Sequence, residues 1–144
     1  MRASAGLMLV LLSLPASAHS QGKKWETQVR DRLERIAAVL PRSSHTRSQV
    51  IHIGPLNTAE SEWFVVELRP GALYDFVGTC DEDCSQLDVL LRSPTGSDVA
   101  VDRSSESLPR LQFTTRDAGA YRLQVTMAAC RLNPCWYGVV VRSP

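Results

Sequence analysis

The sequence predicts an all-β fold, an antiparallel β-sandwich of about eight strands that follows one amphipathic α-helix. From Gln49 onward, apolar and polar residues alternate with period two, which is typical of half-buried strands. Turn signals such as Pro70-Gly71 and Asp117-Ala118-Gly119 separate these runs, and no helical pattern interrupts them. Regular spacing of short strands favours a sandwich over other β architectures.

The first 18 residues, MRASAGLMLVLLSLPASA, have the pattern of an export signal. Arg2 supplies the positive charge, a short apolar run follows from Gly6 to Leu14, and Ala16-Ser17-Ala18 fits the small-residue rule for cleavage. We therefore expect cleavage after Ala18 and a periplasmic or secreted protein. The apolar run is shorter than the ~20 residues that a transmembrane helix needs. The alternative to a cleaved signal is therefore an anchor that is retained and lies in the membrane interface.

Segment 19–41 is predicted to contain an amphipathic helix, because apolar residues recur three and four positions apart until Pro41 ends the pattern. A helix of this length is marginal in water unless its apolar side packs against something. We expect it to dock on its own domain, and a partner's groove or a lipid surface is the rival. The candidate partner-binding residues, called the helix stripe below, are Trp25, Val29, Leu33, Ile36 and Leu40.

A linker is expected at 42–48, and the sandwich domain at 49–144. The clearest alternation places Tyr121, Leu123, Val125 and Met127 on one face of a single strand. Similar inward rows start at Phe64, Leu87 and Tyr137. The predicted strands are 49–53, 62–69, 72–79, 87–92, 98–102, 110–115, 120–127 and 136–142.

The stretch WFVVELRPGALYDF, followed by LDVLLRSPTG, VAVD, LQFTT and DAGAYRLQV, resembles the bacterial pre-peptidase C-terminal (PPC) domain family over about residues 61–141. The resemblance implies a jelly-roll-like sandwich that serves secreted proteins as an accessory or binding module. Two departures are plain: no peptidase domain is present here, and paired cysteines are not part of the general family pattern.

The four cysteines form two close pairs, Cys80 with Cys84 and Cys130 with Cys135. An exported chain with an even number of cysteines favours disulfides, and a tetrahedral zinc site is the alternative. Of the three possible connectivities we favour the local one, because each partner is already nearby.

Carboxylates cluster between and just after the first cysteine pair. Asp81, Asp83 and Asp88, with Glu82 between the first two, are candidate calcium ligands, since calcium takes several hard oxygen donors. The spacing is not that of an EF-hand, and a solvated acidic loop is the other interpretation. We expect no other cofactor.

No catalytic motif is found, and the three histidines are not part of one. Lys plus Arg total 16 against 15 Asp plus Glu, which excludes a broadly basic nucleic-acid binder. We expect Trp63 to lie under the N-terminal helix, with an exposed sugar- or partner-binding patch as the alternative.

The sequence therefore predicts an exported, non-catalytic binding or accessory module, acting either alone or as one subunit of a larger envelope or secreted assembly. Its protein contact would be the N-terminal helix or the cysteine-framed loops. A calcium-dependent adhesion or ligand-binding module and a small periplasmic enzyme are the alternatives. An enzyme would be indicated by a histidine that faces a carboxylate and a nucleophile in one cleft.

Overall fold

A computed structural model of the chain describes residues 18–39 and 47–143. The predicted signal up to residue 17, Leu40 of the helix stripe and residues 42–46 of the predicted linker lie outside this range. The elements in chain order are α1 (Ala18–Val39), β1 (Arg47–Leu56), β2 (Ser61–Leu68), β3 (Leu73–Cys80), β4 (Cys84–Arg92), β5 (Asp98–Asp102), β6 (Arg110–Thr114), β7 (Gly119–Cys130) and β8 (Cys135–Ser143).

The strands form two four-stranded antiparallel sheets that pack into a sandwich. Sheet A has the order β1-β8-β3-β6, and sheet B has the order β2-β7-β4-β5. Most connections cross from one sheet to the other, which is the topology of a jelly roll. The predicted fold class is confirmed.

All eight predicted strands are present, and the main differences lie at their ends. β1 begins at Arg47, inside the predicted linker, because its ladder with β8 continues as far as Ser143. β4 begins at Cys84 and β7 ends at Cys130, which are partners across sheet B. Each of these two strands is therefore longer than predicted and includes a cysteine at its end.

The sandwich core contains the predicted inward rows. Leu87, Leu123, Val125, Met127 and Tyr137 have no exposed surface. Phe64 is only partly buried, because its strand β2 lies at the edge of sheet B. Burial of these alternating side chains is the main contribution to the stability of the sandwich.

Helix α1 packs on the outer face of sheet A, so self-docking is the arrangement that the structure contains. Val29 and Leu33 are 0% and 3% exposed and pack against Val77 and Val140. Gly138 allows this close approach, since a Cβ there would come within 2.7 Å of Leu33 and 2.8 Å of Val29. A partner would have to displace the helix to reach these two stripe residues.

The remaining described stripe residues are less deeply placed. Ile36 packs at the margin of the helix–sheet cluster, and Trp25 is partly buried with the Lys24 ammonium 4.2 Å from its ring centre. Within the described residues, no helix has the length and apolar character required to cross a membrane.

Candidate functional site

The two disulfides lie together at one end of the sandwich, called the disulfide end below. The structure pairs Cys80 with Cys84 and Cys130 with Cys135, which is the local connectivity. Because Cys84 and Cys130 are cross-strand partners, the two bridges are neighbours.

Side chains join the loops of the disulfide end to one another. The Arg131 guanidinium donates to an Asp83 oxygen at 2.6 Å, which ties the loop after β7 to the loop before β4. The Asn133 side-chain oxygen accepts from the backbone N–H of Thr58 at 2.9 Å, which adds the β1–β2 turn. Such cross-links reduce the number of conformations available to the loops.

Helix α1 also contacts the disulfide end. The Gln28 side-chain oxygen accepts from the backbone N–H of Glu82 at 3.2 Å, and the Arg32 guanidinium donates to the carbonyl of Cys80. At the tip of the β7–β8 loop, Leu132 remains 64% exposed. The cysteine-framed loops are thus tied to one another and to helix α1, and Leu132 is a large apolar side chain that they leave exposed.

The three predicted calcium ligands do not share a common site. Asp81 is 2% exposed, and its two oxygens accept the backbone N–H groups of Trp136 at 2.6 Å and Asp83 at 3.1 Å. Burial raises the pKa of Asp81 above its usual value. Asp83 holds Arg131, and Asp88 accepts from the side-chain amide of Gln86 at 2.9 Å.

Across residues 18–39 and 47–143, no group of three or more His, Cys, Asp or Glu side chains is arranged to hold a metal ion. The acidic loop instead uses its carboxylates to hold the backbone and a neighbouring arginine. A calcium site at Asp81, Asp83 and Asp88 stays a prediction that nothing tests, and the contacts of these carboxylates favour the other interpretation, an acidic loop without a bound cation.

Trp63 lies on the outer face of sheet B, on the opposite side of the sandwich from helix α1, so the expectation that the helix covers it is wrong. Its side chain points away from the inward row of Phe64, and it is 40% exposed. In the described part of the chain, no helix packs on this face. The alternative, an exposed patch, is the arrangement found.

Two arginines hold the indole of Trp63. The Cζ of Arg92 lies 4.9 Å from its ring centre, and the Cζ of Arg122 lies 5.3 Å from it. Arg92 is on β4 and Trp63 on β2, so the indole reaches across β7 between them. Guanidinium groups at this distance from an indole are attracted by the negative potential of its face.

The two arginines differ in their carboxylate partners. Arg92 donates to an Asp98 oxygen at 2.7 Å, and this hydrogen bond lowers the pKa of Asp98. Among the described residues, Arg122 forms no ion pair, and its recorded contact is the one with the Trp63 ring. The patch therefore presents a positive charge whose position is set by the indole.

Exposed valines extend this surface on both sides. Val65, opposite Arg122 across the β2–β7 ladder, is 66% exposed, and Val101 on the edge strand β5 is 53% exposed. We call this surface the Trp63 patch; it comprises Trp63, Val65, Arg92, Val101 and Arg122. Period two places Trp63 and Val65 on the outward side, but nothing in the sequence specifies the arginines that surround the indole.

A histidine, a carboxylate and a hydroxyl meet where β1 and β2 face each other across the sandwich. The Nε2 of His52 lies 3.5 Å from a Glu62 oxygen, and the hydroxyl of Tyr137 donates to the same oxygen. Burial, together with Glu62, raises the pKa of Tyr137 well above its usual value. Since Tyr137 and His52 belong to sheet A and Glu62 belongs to sheet B, the cluster joins the two sheets.

No family model matches the chain, and no curated protein matches it. Among solved structures, the chain is similar to the crystal structure of Aeromonas hydrophila PliG, a periplasmic lysozyme inhibitor of g-type lysozyme. The TM-score is 0.54 at 12% sequence identity, and the match covers 73% of this chain and 93% of that one. At this identity, the likeness shows a shared fold.

Proposed function

We propose that this protein is an exported, non-catalytic binding protein that holds a protein partner on the Trp63 patch. The observation that carries the proposal is an exposed tryptophan between two arginines on a sheet face that no described helix covers. Tryptophan and arginine are the residues that most often dominate the energy of protein interfaces. Export is supported by the signal pattern of residues 1–18 and by the two disulfides.

The patch also has the layout of a protein contact. Val65 and Val101 add apolar surface beside Trp63, while the polar side chains of Arg92 and Arg122 stand among them. Since two guanidinium groups already lie over the indole, a sugar ring would have to displace one before it could stack. A protein surface with a carboxylate beside an apolar side chain fits the patch without that displacement.

We further propose a partner of the lysozyme class, which makes this protein an inhibitor. Support comes from the fold shared with PliG, which is an inhibitor of g-type lysozyme. Glycoside hydrolases commonly work with a pair of carboxylates. The guanidinium of Arg122, which the Trp63 ring holds in place, is a chemical complement to such a pair. The proposal of a protein partner depends on the Trp63 patch. The shared fold only indicates which class of enzyme to test as that partner.

The experiment measures binding and inhibition with purified protein. Titration against g-type lysozyme by calorimetry, and clearing of a bacterial cell suspension by the enzyme, should both respond to the wild type. Trp63→Ala and Arg122→Glu should each weaken binding about 30-fold or more, the loss expected for a residue of about 2 kcal/mol. A lysozyme of another class tests specificity.

Matched variants separate a local effect from a general one. Trp25→Ala removes another tryptophan that has a cation over its ring, one that is partly buried on helix α1. Arg103→Glu reverses an exposed charge after β5, and both controls should bind as the wild type does. The partner class is refuted if the wild type neither binds nor inhibits g-type lysozyme, and the patch is refuted if Trp63→Ala and Arg122→Glu bind like their controls.

A further inference from the structure

We propose that a cleft between β1 and β2 binds a single-chain carboxylate of the fatty-acid class. The cleft measures about 1120 Å³ and lies where the two sheets separate, beyond the His52–Glu62 contact. β1 and β2 are edge strands of different sheets, so no strand pairing closes the gap between them. The cleft adjoins the Trp63 patch at the edge strand β2, and Val65 belongs to both.

Apolar side chains form the part of the cleft that lies between the sheets. Leu68 and Tyr74 are 3% and 6% exposed, and Phe64 and Ile51 are core side chains that are left partly open. Apolar side chains that face an open gap between sheets gain by burying a hydrocarbon chain. A cleft of this size exceeds what one acyl chain needs.

The mouth of the cleft is cationic. Two arginines line it: Arg47 on β1, and Arg69, which is the residue directly after β2. Neither forms an ion pair within the part of the chain that the structure describes, and Glu67 is the single acidic side chain among the lining residues. Charge complementarity therefore favours an anionic head group at the mouth.

The strand register explains why the mouth stays open. Gln49 and Arg47 pair with Val141 and Ser143 of β8, on the side of the ladder that faces the sandwich interior. The inward positions near the start of β1 thus carry the amide of Gln49 and the guanidinium of Arg47 instead of apolar side chains. These groups would lose hydration if the two sheets closed over them. The arrangement is an apolar floor beneath a polar, cationic rim, which matches an acyl chain that ends in a carboxylate.

The probe is laurate, titrated below its micelle concentration into the full exported chain by calorimetry. We expect saturable one-to-one binding, and affinity that rises up to about fourfold for each CH₂ added between octanoate and laurate. Chemical-shift changes should appear at the methyl groups of Val66 and Leu68 on the floor. Acetate, which has the head group alone, should not bind.

Three variants test the placement. Arg47→Glu combined with Arg69→Glu should weaken laurate binding at least tenfold, while the exposed control Arg103→Glu should leave it unchanged. Ala72→Phe, which adds a ring at the lining, should also weaken binding, with thermal unfolding as the check that each variant folds. The proposal is overturned if the wild type does not bind laurate, or if dodecyltrimethylammonium, with the same tail and a cationic head, binds as tightly. It is also overturned if the charge-reversed pair binds like Arg103→Glu.

Discussion

Replacing Leu33 with Asp should undock helix α1 and lower the thermal stability of the isolated protein. Leu33 is 3% exposed, and burial of a whole leucine side chain contributes about 1.5–3 kcal/mol. Truncation of such a residue costs about 2–5 kcal/mol once the remaining cavity is included. A carboxylate in the same place would also lose its hydration, so the helix should leave the sheet instead of burying it.

The expected loss is therefore the free energy of helix docking, about 2–4 kcal/mol from these terms. For a chain of this length, that corresponds to a fall in Tm of roughly 10 °C. Thermal unfolding followed by circular dichroism measures the shift. The control is Val39→Asp at the end of the same helix, where the valine is 82% exposed and the Tm should not change.

The two variants distinguish self-docking from a helix reserved for a partner. If Leu33→Asp melts like Val39→Asp, the helix does not contribute to the stability of the isolated protein, and the reasoning is refuted. A lower Tm for Leu33→Asp alone supports the packed arrangement of Val29, Leu33 and Val140.

Three further outcomes are expected. Gly138→Val should destabilise the protein by about 1–3 kcal/mol in urea unfolding, because a Cβ at Gly138 would come within 2.7 Å of Leu33; an unchanged midpoint would contradict the close packing. Asp75→Ala should cost about 3–5 kcal/mol, since the 7% exposed Asp75 lies 3.3 Å from the buried guanidinium of Arg142 and also accepts two hydrogen bonds of 2.8 Å from Arg110; a loss below about 1 kcal/mol would count against the network. Millimolar calcium should leave the Tm unchanged, because the oxygens of Asp81 already accept two backbone N–H groups, whereas a rise that EDTA reverses would support a calcium site.

Period-two alternation was enough to predict the strands, because the inward positions of a sandwich must be apolar along their whole length. The alternation did not predict the strand ends, because hydrogen bonding to the neighbouring strand decides where a strand begins and ends. β1 continues through Gly54 and Pro55 because it is an edge strand, in which a proline can face away from the ladder. The approach of His52 to Glu62 could not be predicted either, because it depends on how the two sheets face each other.

The position of helix α1 explains why the Trp63 patch remains open. The outer face of sheet A presents Ile53, Val77, Gly138 and Val140, which form an apolar surface with a low point at the glycine. The stripe of the helix fits this surface, and its docking removes the outer face of sheet A from contact with partners.

Sheet B could not have accepted the helix in the same way. Its outward positions include Arg92 and Arg122, whose charges would lose hydration beneath an apolar stripe, and Trp63, whose indole stands where a helix would need a low surface. Each strand's outward residues can be identified from the sequence, but which strands share a sheet cannot. Once the strand order is known, the apolar outer face of sheet A selects the helix, and the face with tryptophan and arginine stays uncovered by it, which is the arrangement that the proposed partner contact requires.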